Sequence, residues 1–297
     1  MRLPHKQTVD DIDFAVIGVP FDTGATVKVG ARFGPEAIRS SSINLKPHNL
    51  FLDVSIFEYC SGVDYGDLPV VPGYIEDSNE MIEKSLYPLI DKGVIPILLG
   101  GDHSITLPEL RASARKQGPL ALIQFDSHPD TGDEYFGRSY THGTPFRRAV
   151  EEKLIDVNHS IQLGLRGQLY DKNGLKASQD LGFETITSVE AQDLGIAKLI
   201  QRIHERVQNA KAFVTFDIDF VDPAYAPGTG TPEVGGFTSA ESIRLIRGLD
   251  GLYILGFDVV EVLPAYDPAQ ITALLAANIA YEYISLIALR KKRNQMS

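Results

Sequence analysis

The sequence is poor in cysteine, in positive charge and in long apolar runs. Cys60 is the only cysteine among 297 residues, so an intrachain disulfide is excluded. That fits a reducing compartment, and a cytoplasmic location is expected. Lys and Arg number 28 against 39 Asp and Glu, a formal net charge of -11. Such a surface repels phosphate backbones, which argues against nucleic acid as a partner. It also steers small cations inward. No stretch approaches about eighteen uninterrupted apolar residues, so no membrane span is expected. The N-terminus lacks the basic and apolar regions of a secretory signal. No linker, low-complexity tract or repeat divides the chain, and one domain over 1–297 is expected. Neither Gly-x-Gly-x-x-Gly nor Gly-Lys-Ser/Thr occurs, so the Gly-rich loop at 18–25 reads as structural.

What is present is an alternation of two patterns. Apolar runs at 12–19, 94–99, 120–125, 160–165, 212–216 and 252–257 read as buried strands, with a weaker candidate at 51–59. Segments 77–92, 106–115, 146–154 and 199–210 read as helical, although Pro88 weakens the end of the first. Pro35 suits the first turn of another helix. Thr238-Ser239-Ala240-Glu241 is a capping box, and 267–289 forms a last long helix. The basic run Arg290-Lys291-Lys292-Arg293 reads as its solvated end. The alternation predicts an α/β fold, three layers α/β/α around a largely parallel central sheet.

In such sheets ligands bind beyond the carboxyl ends of the strands. Four strand ends deliver polar residues there: His103; Asp126, His128 and Asp130; Asp217 and Asp219; and Glu261. In Phe125-Asp126-Ser127-His128-Pro129-Asp130 the three candidate ligands are two residues apart, so an extended backbone points them the same way. Clustered carboxylates repel one another, and a cation is the simplest remedy. Six donors exceed one tetrahedral shell, so two ions sharing carboxylates are expected. Carboxylates with some imidazole and no thiolate suit Mn²⁺, with Ni²⁺, Co²⁺ and Fe²⁺ as alternatives and zinc less favoured. Paired ions make water reactive near neutral pH, which implies hydrolysis.

These segments resemble the ureohydrolases, the family of arginase, agmatinase and related guanidino hydrolases. The resemblance spans nearly the whole chain. It rests on Gly-Gly-Asp-His-Ser at 100–104, Phe-Asp-Ser-His-Pro-Asp at 125–130 and Thr-His-Gly-Thr at 141–144. It rests also on Phe-Asp-Ile-Asp at 216–219, the Pro/Gly-rich stretch at 222–232 and Asp-Val-Val-Glu-Val at 258–262. The resemblance implies that His103, Asp126, Asp130 and Asp217 hold one Mn²⁺. It implies that Asp126, His128, Asp217 and Asp219 hold the other, with Asp126 and Asp217 bridging. Asp130 would hold the attacking hydroxide and pass its proton to the leaving amine. Glu261 would grip the guanidinium, and His142 would be a mobile proton shuttle. A cationic guanidino substrate and a homo-oligomer, trimer or hexamer, are implied as well.

Arginine is disfavoured as substrate, because Thr131-Gly132-Asp133-Glu134-Tyr135 lacks the Asn- and Ser-bearing loop of arginases. The stretches at 142–149 and 226–230 look like the agmatinase branch, which favours agmatine, giving urea and putrescine. Asp133 and Glu134 could attract a cationic tail or be merely solvated. The alternatives are 4-guanidinobutyrate, which the Arg166 loop would favour, other guanidines, or an inactive metal-binding scaffold. Ser127 and Pro129 depart from the family pattern inside the central motif, and Lys28-Val29 stands where Arg-Pro is usual.

Overall fold

The computed structural model describes residues 2–169 and 173–296. The chain runs through β1 (Phe14–Val19), a small antiparallel pair β2 (His48–Asn49) and β3 (Val54–Ser55), then β4 (Gly62–Asp67), β5 (Ile95–Gly100) and β6 (Ala121–Phe125). It continues with β7 (Ile161–Leu165), β8 (Glu184–Thr187), β9 (Lys211–Asp217) and β10 (Tyr253–Val260). Apart from the small pair, these strands form one parallel sheet in the order β4-β1-β5-β10-β9-β6-β7-β8. The helices are α1 (Gly34–Ser42), α2 (Ile56–Tyr59), α3 (Ile75–Lys92), α4 (Thr106–Gln117) and α5 (Pro145–Glu151), followed by α6 (Gly174–Asp180), α7 (Ser188–Leu194), α8 (Ile196–Val207), α9 (Ser239–Arg247) and α10 (Ile271–Met296).

Strand alternation divides the core in two. Ile97 and Leu99 of β5 pack with α1, α8, α9 and α10 on one face, whereas Leu98 packs with α3, α4 and α5 on the other. In β6, Ile123 and Phe125 share the first core and Leu122 the second. Strands covered on both faces read as continuous apolar runs for this reason. The expected three-layer fold is therefore present.

α10 is long and apolar enough to cross a membrane by length and composition, yet 83% of its most apolar window is buried in this fold. It is a core helix, apolar around most of its circumference. Its buried Glu282 pairs with Arg247 at 2.5 Å and accepts from Asn49 at 2.9 Å. The basic run at its end is not merely solvated. Lys291 pairs with Asp13, Lys292 donates to the Asp53 carbonyl at 2.8 Å, and Arg293 pairs with Asp250 at 2.8 Å. Pro88 does not break α3, because its side is exposed and the helix runs on to a left-handed Gly93 cap. The strand expected at 51–59 is mostly absent: only Val54–Ser55 is extended, and Ile56–Tyr59 turns into α2.

The central four strands, β5, β10, β9 and β6, are consecutive neighbours. All run the same way, so their carboxyl ends share one edge. The candidate residues of all four ends are thereby collected in one place, though they come from positions 103 to 261 of the chain.

Candidate metal centre

Each strand end turns sharply. After β5, a Cβ on Gly101 would lie 2.0 Å from the Phe21 carbonyl oxygen, so only glycine fits. Asp102 then caps the turn His103–Ile105 by accepting from the Ser104 amide at 3.0 Å. After β9, Asp217 caps the turn Ile218–Phe220 through the Asp219 amide at 2.8 Å. Asp130 and Glu261 sit at φ 48 and φ 63, a left-handed conformation that costs energy for residues with a Cβ. Strain of this kind collects where a side chain must be aimed.

The side chains converge. His103 Nδ1 lies 2.9 Å from Asp130 Oδ2, 3.0 Å from Asp126 Oδ2 and 3.3 Å from Asp217 Oδ2. His128 Nδ1 lies 3.1 Å from Asp219 Oδ2 and 3.6 Å from Asp126 Oδ1. Two groups of donors are thus close enough to hold an ion each: His103, Asp126 and Asp217, and Asp126, His128 and Asp219. Asp126 belongs to both. His103 Nδ1 is fully buried and forms no hydrogen bond, although three carboxylates face it. Four carboxylates with two imidazoles leave a net negative charge out of water, which is costly unless a cation joins them. The donor set, oxygen and imidazole nitrogen without thiolate, fits a divalent metal of the manganese type.

Proton affinities show the same deficit of positive charge. Burial pushes Asp217 well above the usual carboxylate range, and Asp219 and Asp126 add to it. Asp130 is raised by burial and then by Asp126. Asp126 goes the other way: burial opposes, but His103 and His128 hold it below its ordinary range. Burial disfavours charge on both imidazoles, yet the surrounding aspartates raise them well above the ordinary histidine value. In the metal-free chain, protons on the imidazoles take the place of metal charge.

A second ring of side chains orients the first. His103 Nε2 lies 2.8 Å from Thr215 Oγ1, which donates to Asp258 Oδ1 at 2.7 Å. That leaves Nδ1 directed at the carboxylates. Gln124 Nε2 donates to Asp126 Oδ2 at 2.8 Å, and its own oxygen accepts from Gln162 Nε2 at 2.5 Å. Ser127 gives Asp219 Oδ1 two bonds, from its amide at 3.1 Å and its hydroxyl at 2.6 Å. Sequence reasoning missed Thr215, Asp258, Gln124 and Gln162. A fully buried polar residue inside an apolar strand is the signal that would have found them, since such groups require partners.

Glu261 and His142 form a separate part of the site. Glu261 Oε1 accepts from the His103 amide at 3.0 Å and lies 2.9 Å from His142 Nδ1. Glu261 Oε2 is buried without a partner. His142 Nε2 lies 2.7 Å from Thr26 Oγ1, and its amide donates to the Gly24 carbonyl at 2.9 Å. The histidine expected to be mobile is held at both ring nitrogens. Burial opposes its charge, but Glu261 raises it to about 9. Asp102 behind it is pushed up to about 7 by burial first and then by Glu261. The Gly-rich loop is therefore not only structural: Gly24 and Thr26 fasten the histidine.

Arg166 is not available to a substrate. Its guanidinium donates to the main-chain carbonyls of Gly164 and Phe220 at 3.1 Å, Asp219 at 2.5 Å and Glu233 at 2.9 Å. It locks the Asp219 turn instead of reading a carboxylate. Asp133 is paired with Arg148 at 2.7 Å, so it too has a partner within the fold.

The model of the arginase family matches residues 12–285. The chain is 40% identical to the guanidinobutyrase of Pseudomonas aeruginosa over 290 residues, 97% of this chain and 91% of that protein. It is 42% identical to the agmatinase of Citrobacter koseri over 295 residues, 98% of this chain and 93% of that one. The solved structure of proclavaminate amidino hydrolase from Streptomyces clavuligerus superposes with a TM-score of 0.93 at 39% identity, covering 97% of this chain and 96% of that one.

Proposed function

This chain belongs to the arginase family, and from that premise we propose that it hydrolyses a guanidino compound to urea and a primary amine. His103, Asp126, Asp130 and Asp217 would hold one divalent ion, and Asp126, His128, Asp217 and Asp219 the other. Manganese is the expected metal, and nickel or cobalt would suit the same donors. When bound, such ions supply Lewis acidity and a water reactive near neutral pH.

The protein's own groups do the rest. Glu261 Oε2, buried and without a partner, is placed to accept from the planar donor array of a guanidinium. This is the observation that carries the reading, because a carboxylate oxygen buried without a partner is costly unless a ligand donates to it. Water adds to the guanidinium carbon, and the C–N bond to the alkyl amine breaks. Asp130 takes up the proton from the water at its carboxylate and delivers it to the departing nitrogen. His142, held between Thr26 and Glu261, stabilises the Glu261 charge and exchanges protons with solvent. The partnerless Glu261 oxygen also weighs against an inactive scaffold.

Head recognition of this kind serves agmatine and guanidino acids alike. The test is urea release by the Mn²⁺- or Ni²⁺-loaded protein from a small guanidine panel. Urea from at least one compound is expected. None from any compound, with two metals bound per chain, would overturn the reading.

A further inference from the structure

We propose that Glu109 is a positioning residue of the metal centre: it holds the one proton of a carboxyl pair with Asp258 and so fixes the tautomer in which His103 offers Nδ1 to an ion. This rests on the metal centre proposed above and adds a residue to it. Glu109 lies in α4 and is fully buried, and neither of its carboxyl oxygens meets a donor. A carboxylate out of water with neither cation nor donor is costly, so its charge cannot be what keeps it there.

The group that faces Glu109 is a second buried acid. Asp258 sits on β10 between Thr215 of β9 and Leu98 of β5. Its chain neighbours Phe257 and Val259 point into the first core, so Asp258 points to the other side of the sheet, where α4 packs. Thr106, one turn before Glu109 on α4, donates to Asp258 Oδ2 at 2.8 Å. The Glu109 carboxyl meets the Asp258 carboxyl beside it. Two carboxylates in contact repel, whereas one proton turns the contact into a hydrogen bond. Asp258 accepts also from Thr215 Oγ1 at 2.7 Å and from the Phe216 amide at 3.3 Å. Those donors favour its charged form, and Glu109 has no such support, so the proton resides on Glu109. Burial pushes Glu109 well above the usual carboxylate range, and the charge of Asp258 adds to it.

The place of that proton decides which nitrogen of His103 is bare. A threonine hydroxyl has one hydrogen. Thr215 gives it to Asp258 and must therefore accept, at 2.8 Å, from His103 Nε2–H. A neutral His103 then has no hydrogen on Nδ1, the nitrogen facing Asp126, Asp130 and Asp217. A proton on Asp258 Oδ1 would reverse the relay. Thr215 would accept from Asp258 and donate to Nε2, and the imidazole hydrogen would move to Nδ1, where an ion has to bind. By donating to Asp258, Glu109 keeps it an acceptor and keeps the relay running one way.

The test has a spectroscopic arm and a binding arm. In the Mn²⁺-loaded protein at pH 8, infrared difference spectra of wild type against Glu109→Gln should show the C=O stretch of a buried carboxylic acid, lost in the variant. Glu109→Leu should weaken Mn²⁺ binding by about tenfold or more, the usual effect of a group behind a metal-ligating histidine. Glu109→Gln, whose NH₂ still donates to Asp258, should rescue binding to within about threefold of wild type. Thr215→Val should weaken binding as well, and Glu109→Leu added to it should cost no more than about twofold further, because both act through one relay. Should Glu109→Leu fail to fold, Glu109→Met takes its place. No carboxylic acid band, wild-type Mn²⁺ affinity in the apolar variant, or losses that add fully in the double variant would overturn the assignment. A wild type that binds no Mn²⁺ would instead defeat the metal centre itself, and the infrared band, sought in the same protein, would still decide the carboxyl pair.

Discussion

Glu261→Gln separates substrate recognition from metal binding. Glu261 is 1% exposed. Its Oε1 faces the His103 amide and His142 Nδ1, so the amide oxygen of glutamine will take that place, where donors point. The NH₂ group is then forced to the Oε2 position, facing the guanidinium donors. Two charge-assisted hydrogen bonds are lost, each about 1.5–3 kcal/mol. Together they amount to about 3–6 kcal/mol, or roughly a hundredfold to twenty-thousandfold in kcat/KM. Because the side chain lies outside both donor groups, two metals per chain should remain, measured by elemental analysis beside urea release. The variant also removes the group that holds His142 at about 9. In the metal-free variant its imidazole should titrate at lower pH by NMR. Activity within about tenfold of wild type, or loss of bound metal, would refute the division of roles.

Asp126→Asn should lose both metals and urea release together, since Asp126 belongs to both donor groups; a metal-replete, active variant would remove Asp126 from the centre. Metal uptake should strengthen with rising pH from 6 to 8. His103 and His128 are raised well above the usual imidazole value in the metal-free chain, so each must give up a proton that becomes easier to remove as pH rises. Apparent affinity should climb by about tenfold per unit for each proton displaced, and calorimetry in buffers of different ionisation enthalpy counts those protons; a flat profile would contradict the shifts. Gly101→Ala would set a Cβ 2.0 Å from the Phe21 carbonyl oxygen and 2.8 Å from that of Val19. The loop must separate from the strand end, at a cost of about 3 kcal/mol or more. A fall in Tm of roughly 5 °C or more is expected by calorimetry, and one below about 2 °C would mean the backbone yields freely.

The parts of the fold legible in the sequence are those buried on both sides. β5, β6, β9 and β10 lie in the middle of the sheet, and each reads as an apolar run. The edge strands do not. β4 is Gly-Val-Asp-Tyr-Gly-Asp and β8 is Glu-Thr-Ile-Thr; both are half solvated and neither carries an apolar run. α6 and α7, seven residues each, are too short for a periodic signal. At 51–59 a loose alternation was misleading because two residues of strand and a four-residue helix share it. At the site, the candidate ligands were legible because four apolar runs each end in carboxylates or imidazoles, and a parallel sheet brings those ends to one edge. The fastening of His142 by Thr26 was not, because it links a loop to a residue 116 positions away.

Ser127 and Pro129, which depart from the family pattern, have physical roles that only the structure reveals. Ser127 replaces a small residue with a hydroxyl that bonds Asp219 at 2.6 Å and lies 3.1 Å from His128 Nδ1. It couples a ligand candidate on β6 to one on the neighbouring β9. Pro129 gives up an amide donor, but its carbonyl accepts from Gln162 at 2.7 Å, which ties the motif to β7. The same glutamine bonds Gln124, which bonds Asp126. The turn after β6 is thus fastened to strands on both sides, so its ligands are aimed before any ion arrives. Preorganisation of this sort lowers what metal binding must supply in ordering the loop. It also explains how a strained left-handed Asp130 can persist: its neighbours on either side leave the backbone no other course.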